Sequence, residues 1–401
     1  MSRANVVNTW AILTGQYPAA PGGVADYSRL IARGLAAAGD DVHVCCPGER
    51  GTVPADHGVF IHCLRDCFGP RSLAGLRATL AHLPRETRLL VQYVPHAFGY
   101  KAMNLPFCLW LTSLRRMRVW VMFHEVAFPL SWRQPLKHNI LGCVTRVMAW
   151  LVRRAAERTF VSTPAWGELL QRLQRKPVEW LPIPSNLPDC VAPEQVAEVR
   201  GRLERGPGSI LLGHFGTFGS HIAPLLARVL PPLLLADGRR QAVLVGRRSL
   251  EFARRFQSEH PTVADRVVAT GEVSLSEAAA CLAACDVLLQ PYPDGVTSRF
   301  TTLMAGLALG RPVVTTTGRL SEPFWHESGA VALAPASDPG RFVEQVERLL
   351  ASDEQRSSLA ARGRSVYRER FSVERVIATL RGDIPAATVL RSSEDPDRTP
   401  L

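Results

Sequence analysis

The side chains best suited to chemistry crowd into one stretch, Asp286 to Thr316. An apolar run closes there at Pro291, and Asp294-Gly295 makes a turn. A hydroxyl-rich, basic segment follows, with Thr297, Ser298, Arg299, Thr301 and Thr302. It leads into an apolar helix that Gly310-Arg311-Pro312 stops, before Val313-Val314 opens a new strand. Strand, polar loop, helix and strand form the unit of parallel sheets, with the loop at the carboxyl end of the strand. Unpaired N–H groups at the helix start, one guanidinium and several hydroxyls together suit a phosphate. Any capped helix of an α/β domain carries part of this pattern, so the rest of the chain must decide.

Four other places offer groups of the same kind. Gly22-Gly23 sits at a strand-to-helix turn, where the missing side chains let backbone approach a ligand. The strand Val119–Phe123 runs directly into His124-Glu125, at the end of the sheet where ligands bind in open α/β folds. Later, the turn Gly216-Thr217-Phe218-Gly219 follows one strand and Gly246-Arg247-Arg248 follows the next.

The elements that position these groups alternate through the chain. Strands are expected at Val6–Thr14, Val42–Cys46, Val59–Leu64, Leu89–Val94, Val119–Phe123, Thr159–Ser162 and Val178–Ile183. A Pro-rich exit, Pro184 to Pro188, marks a domain boundary. The alternation then restarts with strands at Ser209–Phe215, Ala242–Val245, Val267–Thr270, Val287–Gln290, Val313–Thr315 and Ala330–Leu333. Two strand–helix alternations of similar size predict an α/β protein of two Rossmann-like domains facing a cleft. Residues 1–186 form the first domain, 187–372 the second, 373–390 a terminal helix packing back on the first, and 391–401 a disordered tail.

At 401 residues the chain can bury two sizeable cores, and its 46% hydrophobic and 21% charged content is that of a soluble globular protein. The net charge of +11 is uneven. Between Arg115 and Arg158 nine Arg and Lys residues stand against two carboxylates, Glu125 and Glu157. Such a segment suits an anionic partner, either a membrane surface or an acidic acceptor. Within it, Pro135 to Arg154 reads as a helix whose apolar stripe (Leu136, Ile140, Leu141, Val144, Val147, Met148, Leu151) is expected to pack in the core. The nine cysteines are scattered through apolar runs and lack zinc spacing, so a reducing compartment and no metal are expected. Val6 to Leu13 is too short and polar for a secretory leader, and no apolar run is long enough to span a bilayer.

Several of these segments, taken in order, resemble family 4 of the retaining GT-B glycosyltransferases. They are Gly22-Gly23-Val24-Ala25, His124, Ile183-Pro184-Ser185-Asn186, and Ala284-Cys285-Asp286-Val287 through Gly310-Arg311-Pro312-Val313-Val314. The resemblance covers residues 5–381. It implies GT-B architecture, an amino-terminal acceptor domain and a carboxyl-terminal domain for a nucleotide-sugar donor. It further implies hexosyl transfer with retained configuration, no required cofactor and a place in polysaccharide biosynthesis, while the scattered thiols point to the cytoplasm and the basic segment 115–158 to a peripheral position on the inner face of the membrane. The acceptor is a glycan, a lipid-linked sugar or a small molecule, and nucleic acid is not an expected partner.

By position, Gly22 and Gly23 would approach the donor phosphates, and His124 would sit at the donor sugar as the catalytic residue. Gly216, Arg247, Arg248, Asp294, Ser298, Arg299, Thr301 and Thr302 would bind the donor. The family's usual pair of glutamates is replaced here by Thr297 and Ala305. Ser298, Arg299, Thr301 and Thr302 are expected to compensate at the phosphates, Arg being a strong bidentate partner for them. A nucleotide-sugar epimerase or a non-catalytic nucleotide-sugar-binding protein are the alternatives. The absence of Gly-x-Gly-x-x-Gly after either first strand speaks against a dinucleotide oxidoreductase.

Overall fold

Runs of buried aliphatic strands separated by amphipathic helices recur twice, and the computed structural model builds a parallel sheet from each series. The structure describes residues 7–18, 20, 22–48, 55–386 and 388–390. The expected tail at 391–401 lies outside the described residues. The chain divides into two units, Met1–Pro182 with Val373–Leu401, and Ile183–Ser372.

The first unit contains β1 (Thr9–Thr14), α1 (Gly23–Ala37), β2 (Asp41–Pro47), β3 (Val59–Leu64), α2 (Pro70–Ala81), β4 (Arg88–Tyr93), α3 (Leu105–Thr112), β5 (Arg118–Phe123), α4 (Leu136–Ala155), β6 (Arg158–Val161), α5 (Pro164–Leu173) and β7 (Val178–Trp180). The strand order is β7-β6-β5-β4-β1-β2-β3, parallel throughout. Both faces of such a sheet are covered by helices, so the inner strands β1, β4 and β5 are buried almost along their whole length, whereas the edge strand β3 is part-exposed. Phe68, Phe98 and Phe107 fill one face, with Phe98 and Phe107 stacked at 4.4 Å.

The second unit contains α6 (Pro193–Leu203), β8 (Ile210–Phe215), α7 (Ala223–Ala236), β9 (Arg240–Val245), α8 (Ser249–Glu259), β10 (Val267–Ala269), α9 (Leu275–Ala283), β11 (Val287–Gln290), α10 (Thr301–Ala308), β12 (Val313–Thr317), α11 (Phe324–Ser328), β13 (Ala332–Pro335), α12 (Pro339–Leu350) and α13 (Asp353–Val366). Its parallel sheet has the order β10-β9-β8-β11-β12-β13. The sequence reversal beside β8 is a topological switch point, where open α/β sheets form a crevice. Asp286 starts β11 by accepting the Leu211 N–H at 2.8 Å and binding Arg200, which fixes the strand against its neighbour.

The chain then returns to the first unit as α14 (Val373–Arg381) and β14 (Thr388–Leu390), the latter antiparallel to β7. Ile377 of α14 packs on Gly34 of α1, where a Cβ would come within 2.8 Å of its side chain. Arg381 donates to Ala38 O and to buried Asp40, which also accepts from Trp10 Nε1 at 3.0 Å.

The structure corrects the expected packing of α4. Its buried face is Gly142, Thr145, Met148, Ala149, Val152 and Arg153, whereas Leu136, Ile140 and Val147 face outward. The basic segment around it is also less uniform than its composition suggests. Arg118 pairs with Glu157 and Arg158 with Glu179, and buried Arg153 donates to the carbonyls of Gln174 and Lys176. No helix among the described residues is long and apolar enough to cross a membrane.

Candidate active site

Within the second unit, the loops after β8 and β11 and the start of α10 enclose a cavity of about 690 Å³. That is within the usual range for small-ligand sites, roughly 300–1,000 Å³. Gly216, Gly219, Asp294, Arg299, Thr301 and Thr302 all line it. Five of the positions expected to bind a donor (Gly216, Asp294, Arg299, Thr301, Thr302) are thus brought together.

The floor is set by two polar residues at the ends of neighbouring strands. His214, in β8, is buried, and its Nδ1 lies 2.7 Å from the carbonyl oxygen of Leu289. A carbonyl only accepts, so Nδ1 carries the proton and Nε2 is a bare acceptor. That Nε2 has no partner among the described residues, and the residue lines the cavity. Burial holds the His214 pKa down at about 4, which keeps the ring neutral. Gln290, ending β11, donates from Nε2 to the Phe215 carbonyl at 3.2 Å, and its buried Oε1 is likewise unsatisfied. Two bare buried acceptors at one wall call for a ligand with donors, because an unpaired buried polar atom costs about 1–3 kcal/mol.

The glycines around His214 have a steric reason. A Cβ at Gly216 would lie 3.1 Å from His214 Nε2 and would cover it. A Cβ at Gly246, where φ is 118°, would meet the Gly216 carbonyl oxygen at 2.4 Å, so the two loops rest backbone against backbone. Phe218 holds a left-handed φ of 53° and packs its ring edge-on against His214 at 5.0 Å. A non-glycine residue in that region stores strain, of order 1–3 kcal/mol, which the surrounding loop must hold.

At the opposite wall, Tyr292 stacks on Phe300 at 4.0 Å and shares a hydrogen bond with Thr302 at 2.8 Å. Arg299 is exposed at the rim, its guanidinium 5.8 Å from the Phe300 ring, and it pairs with no described carboxylate. Asp294 is held by Arg319 at 2.8 Å. The first N–H groups of α10 follow directly at Thr301 and Thr302, so this wall presents positive charge.

Three expected donor-binding residues lie elsewhere. Ser298 is fully buried, and both its hydroxyl and its N–H bond Glu322, which removes it from the cavity. Arg247 pairs with Glu272 and Arg248 with Glu251, both as exposed surface bridges outside the cavity lining. His214, Gln290 and Tyr292 were not singled out by the sequence, although a His and a Gln inside apolar strands are a usable signal.

In the first unit, His124 directly follows β5 and is buried. Its Nε2 lies 2.8 Å from Gln92 Oε1 and its ring meets Tyr27 edge-on at 4.8 Å. Burial lowers its pKa to about 3, so it is a neutral hydrogen-bonding group, not a cation, near neutral pH. Glu125 instead faces His96, 3.6 Å away, and both are well exposed. Gly22 caps α1 with a φ of 156°, and a Cβ there would press on Gln16, whereas Gly23 has open space around it. The cysteines of the chain are all free, and no metal-binding cluster forms among the described residues.

A family model described as a glycosyl transferase 4-like domain matches residues 22–186, and one for glycosyl transferases group 1 matches residues 210–352. The chain belongs to the family 4-like glycosyltransferases. No curated protein sequence matches it. Among solved structures, this glycosyltransferase is similar to a sucrose-phosphate synthase from Thermosynechococcus elongatus, with a TM-score of 0.69 and 17% identity over 94% of this chain and 98% of that one. It is also similar to HepE of Anabaena, solved with UDP and glucose (TM-score 0.62, 16% identity, 94% and 99% covered). WaaG, a glycosyltransferase involved in lipopolysaccharide biosynthesis, gives a TM-score of 0.62 at 17% identity, with 94% and 99% covered. At these identities the likenesses establish the fold, which is GT-B.

Proposed function

We propose that the cavity of the second unit holds the nucleoside diphosphate of a nucleotide-sugar donor, and that the enzyme moves that sugar to an acceptor with its anomeric configuration retained. The observation that carries this reading is the meeting of opposite needs in one cavity. One wall supplies donors and positive charge from Arg299, Thr301 and the start of α10. The other supplies two bare acceptors, His214 Nε2 and Gln290 Oε1. A nucleotide sugar has both complements, anionic phosphates and ribose, base or sugar hydrogens to donate. The occurrence of UDP and UDP-glucose with HepE supports that donor class.

Breaking the bond between sugar and diphosphate leaves negative charge on the departing phosphate. Positive groups already aimed there stabilise the transition state without reorganisation, each contributing roughly 2–4 kcal/mol. In this reading Arg299 and the α10 N–H groups supply that stabilisation, so a chelator leaves turnover unchanged. His124, neutral and oriented by Gln92, acts as a hydrogen-bonding partner of the transferred sugar, and no side chain serves as nucleophile.

The test is a calorimetric screen of nucleoside diphosphates and their sugars, followed by acceptor assays with the anomer of the product read by NMR. Binding of at least one nucleotide sugar and a product of unchanged configuration are expected. Donor turnover without acceptor would indicate epimerisation, an inverted product would remove retention, and no binding at all would remove the donor site.

A further inference from the structure

The outward face of α4 is built in a way its place in a folded domain does not require. Leu136, Ile140, Val147 and Trp150 recur at helical spacing and are all exposed, Leu136 at 75%. The loop before the helix adds Leu130 and Trp132, the latter fully exposed. From Leu136 to Trp150 the stripe runs about 21 Å at 1.5 Å per residue. An exposed apolar face of this length marks an interaction site rather than a solvated surface.

The presentation of Trp132 is fixed, not frayed. Asn139 accepts the Ser131 N–H at 3.1 Å and donates to the Ser131 carbonyl at 3.0 Å. Gln134 bridges Asn139 and the Pro129 carbonyl, and Arg133 N–H caps back onto Ser131 Oγ. Gly142 lets this loop lie directly on the helix, because a Cβ there would come within 2.6 Å of Leu130. The backbone is thus pinned while the indole points into solvent.

Charge identifies the occupant. The chain carries no carboxylate from Val126 to Ala156. Arg133 and Lys137 lie at one end of the stripe and Arg154 at the other, over the Trp150 ring at 5.7 Å. None of the three pairs with a described carboxylate, unlike Arg118 and Arg158. Two copies joined through this face would bring like charges together, since a two-fold interface is self-complementary.

We propose that α4 and the Leu130–Trp132 loop form an in-plane docking surface for an anionic phospholipid bilayer, the apolar stripe entering the headgroup boundary and the basic side chains meeting lipid phosphates. Indole rings favour that boundary, long basic side chains reach from it to charged headgroups, and helices of this pattern lie flat on membranes. The surface belongs to the first unit alone and does not depend on what the donor cavity binds.

Flotation of the full chain with vesicles of phosphatidylcholine alone, or of phosphatidylcholine with phosphatidylglycerol, tests this, with light scattering of the lipid-free protein alongside. Binding to the acidic vesicles only, weakened at least tenfold by Arg133→Glu with Lys137→Glu and separately by Trp132→Ser, is expected. High salt lowers the binding. These side chains are exposed, so folding is preserved, and an unchanged circular dichroism spectrum verifies it. Negligible binding to both vesicles, equal binding to both, or a dimer that Trp132→Ser dissociates would each overturn the proposal.

Discussion

Ser298 and Glu322 form a buried pair in the segment leading into α10: the serine hydroxyl donates to Oε1 at 2.8 Å, and its N–H lies 3.0 Å from each carboxylate oxygen. Glu322 also accepts from Trp325 Nε1 at 2.7 Å. The carboxylate therefore anchors the loop that leads into α10. Burial raises its pKa while these bonds oppose the rise, so its charge is held at a cost. Glu322→Ala would strand two buried N–H donors, each worth about 1–3 kcal/mol. A fall in unfolding free energy of roughly 2–6 kcal/mol by urea titration is expected. A change within experimental error would mean that the pair is dispensable.

Arg299→Ala should weaken nucleoside diphosphate binding by roughly tenfold or more, as loss of a charge-assisted bond of about 1.5–3 kcal/mol requires. The uncharged nucleoside should bind as before. Calorimetry that finds both ligands affected alike, or neither, would show that Arg299 does not contact phosphate.

His124 and His214 should make the protein acid-sensitive in one direction. Their folded pKa values, about 3 and about 4, lie below the ordinary histidine value of 6.5. The unfolded chain thus binds more protons as pH falls below 6.5, and stability drops by up to about 1.4 kcal/mol per unit for each ring. Their contribution is complete above 6.5. Urea titrations at pH 7 and pH 5 should show a smaller acid loss in His214→Gln than in the parent chain. In the same series, His124→Ala should lower turnover while leaving affinity for the bare nucleoside diphosphate intact. Unchanged turnover would make His124 a packing residue.

How far the sequence reaches can be judged from particular elements. The strand Val287–Gln290 is read correctly to the residue, because its apolar pattern is bounded by clear breakers, and the terminal helix starts at Val373 as expected but stops at Arg381. Helix α2 is not legible, since Leu73, Leu76 and Leu80 are its main apolar signal in a short, mixed segment. The site is legible where chemistry follows chain order, as at Arg299, Thr301 and Thr302. It fails where partners lie far apart: Ser298 and Glu322 are 24 residues apart, and His214 and Leu289 are 75. The α4 stripe is read correctly only in part, since Val144, Met148 and Leu151 pack on the core while Leu136, Ile140 and Val147 do not. Helical spacing identifies a face, but which way the face points is decided by the sheet it packs on.

The sharpest expectation concerns His214 and the glycine that uncovers it. Nε2 is a neutral acceptor whose hydrogen bond to a ligand hydroxyl or N–H would contribute about 0.5–1.5 kcal/mol, a factor of roughly 2 to 12 in affinity. His214→Phe removes the acceptor and keeps a ring of similar size against Phe218. Gly216→Ala keeps the acceptor but places a methyl 3.1 Å from it. Both variants should lose affinity for the same ligands by similar factors, and the loss should be insensitive to salt because no charge is involved. Arg299→Ala should behave oppositely, its effect shrinking as salt rises. Comparing nucleoside, nucleoside diphosphate and nucleotide sugar then shows which part of the donor gives the hydrogen: a loss already present with the nucleoside assigns base or ribose, and a loss confined to the nucleotide sugar assigns the transferred sugar. If neither variant changes affinity for any of the three, Nε2 does not face the donor, and the bare acceptor has another cause.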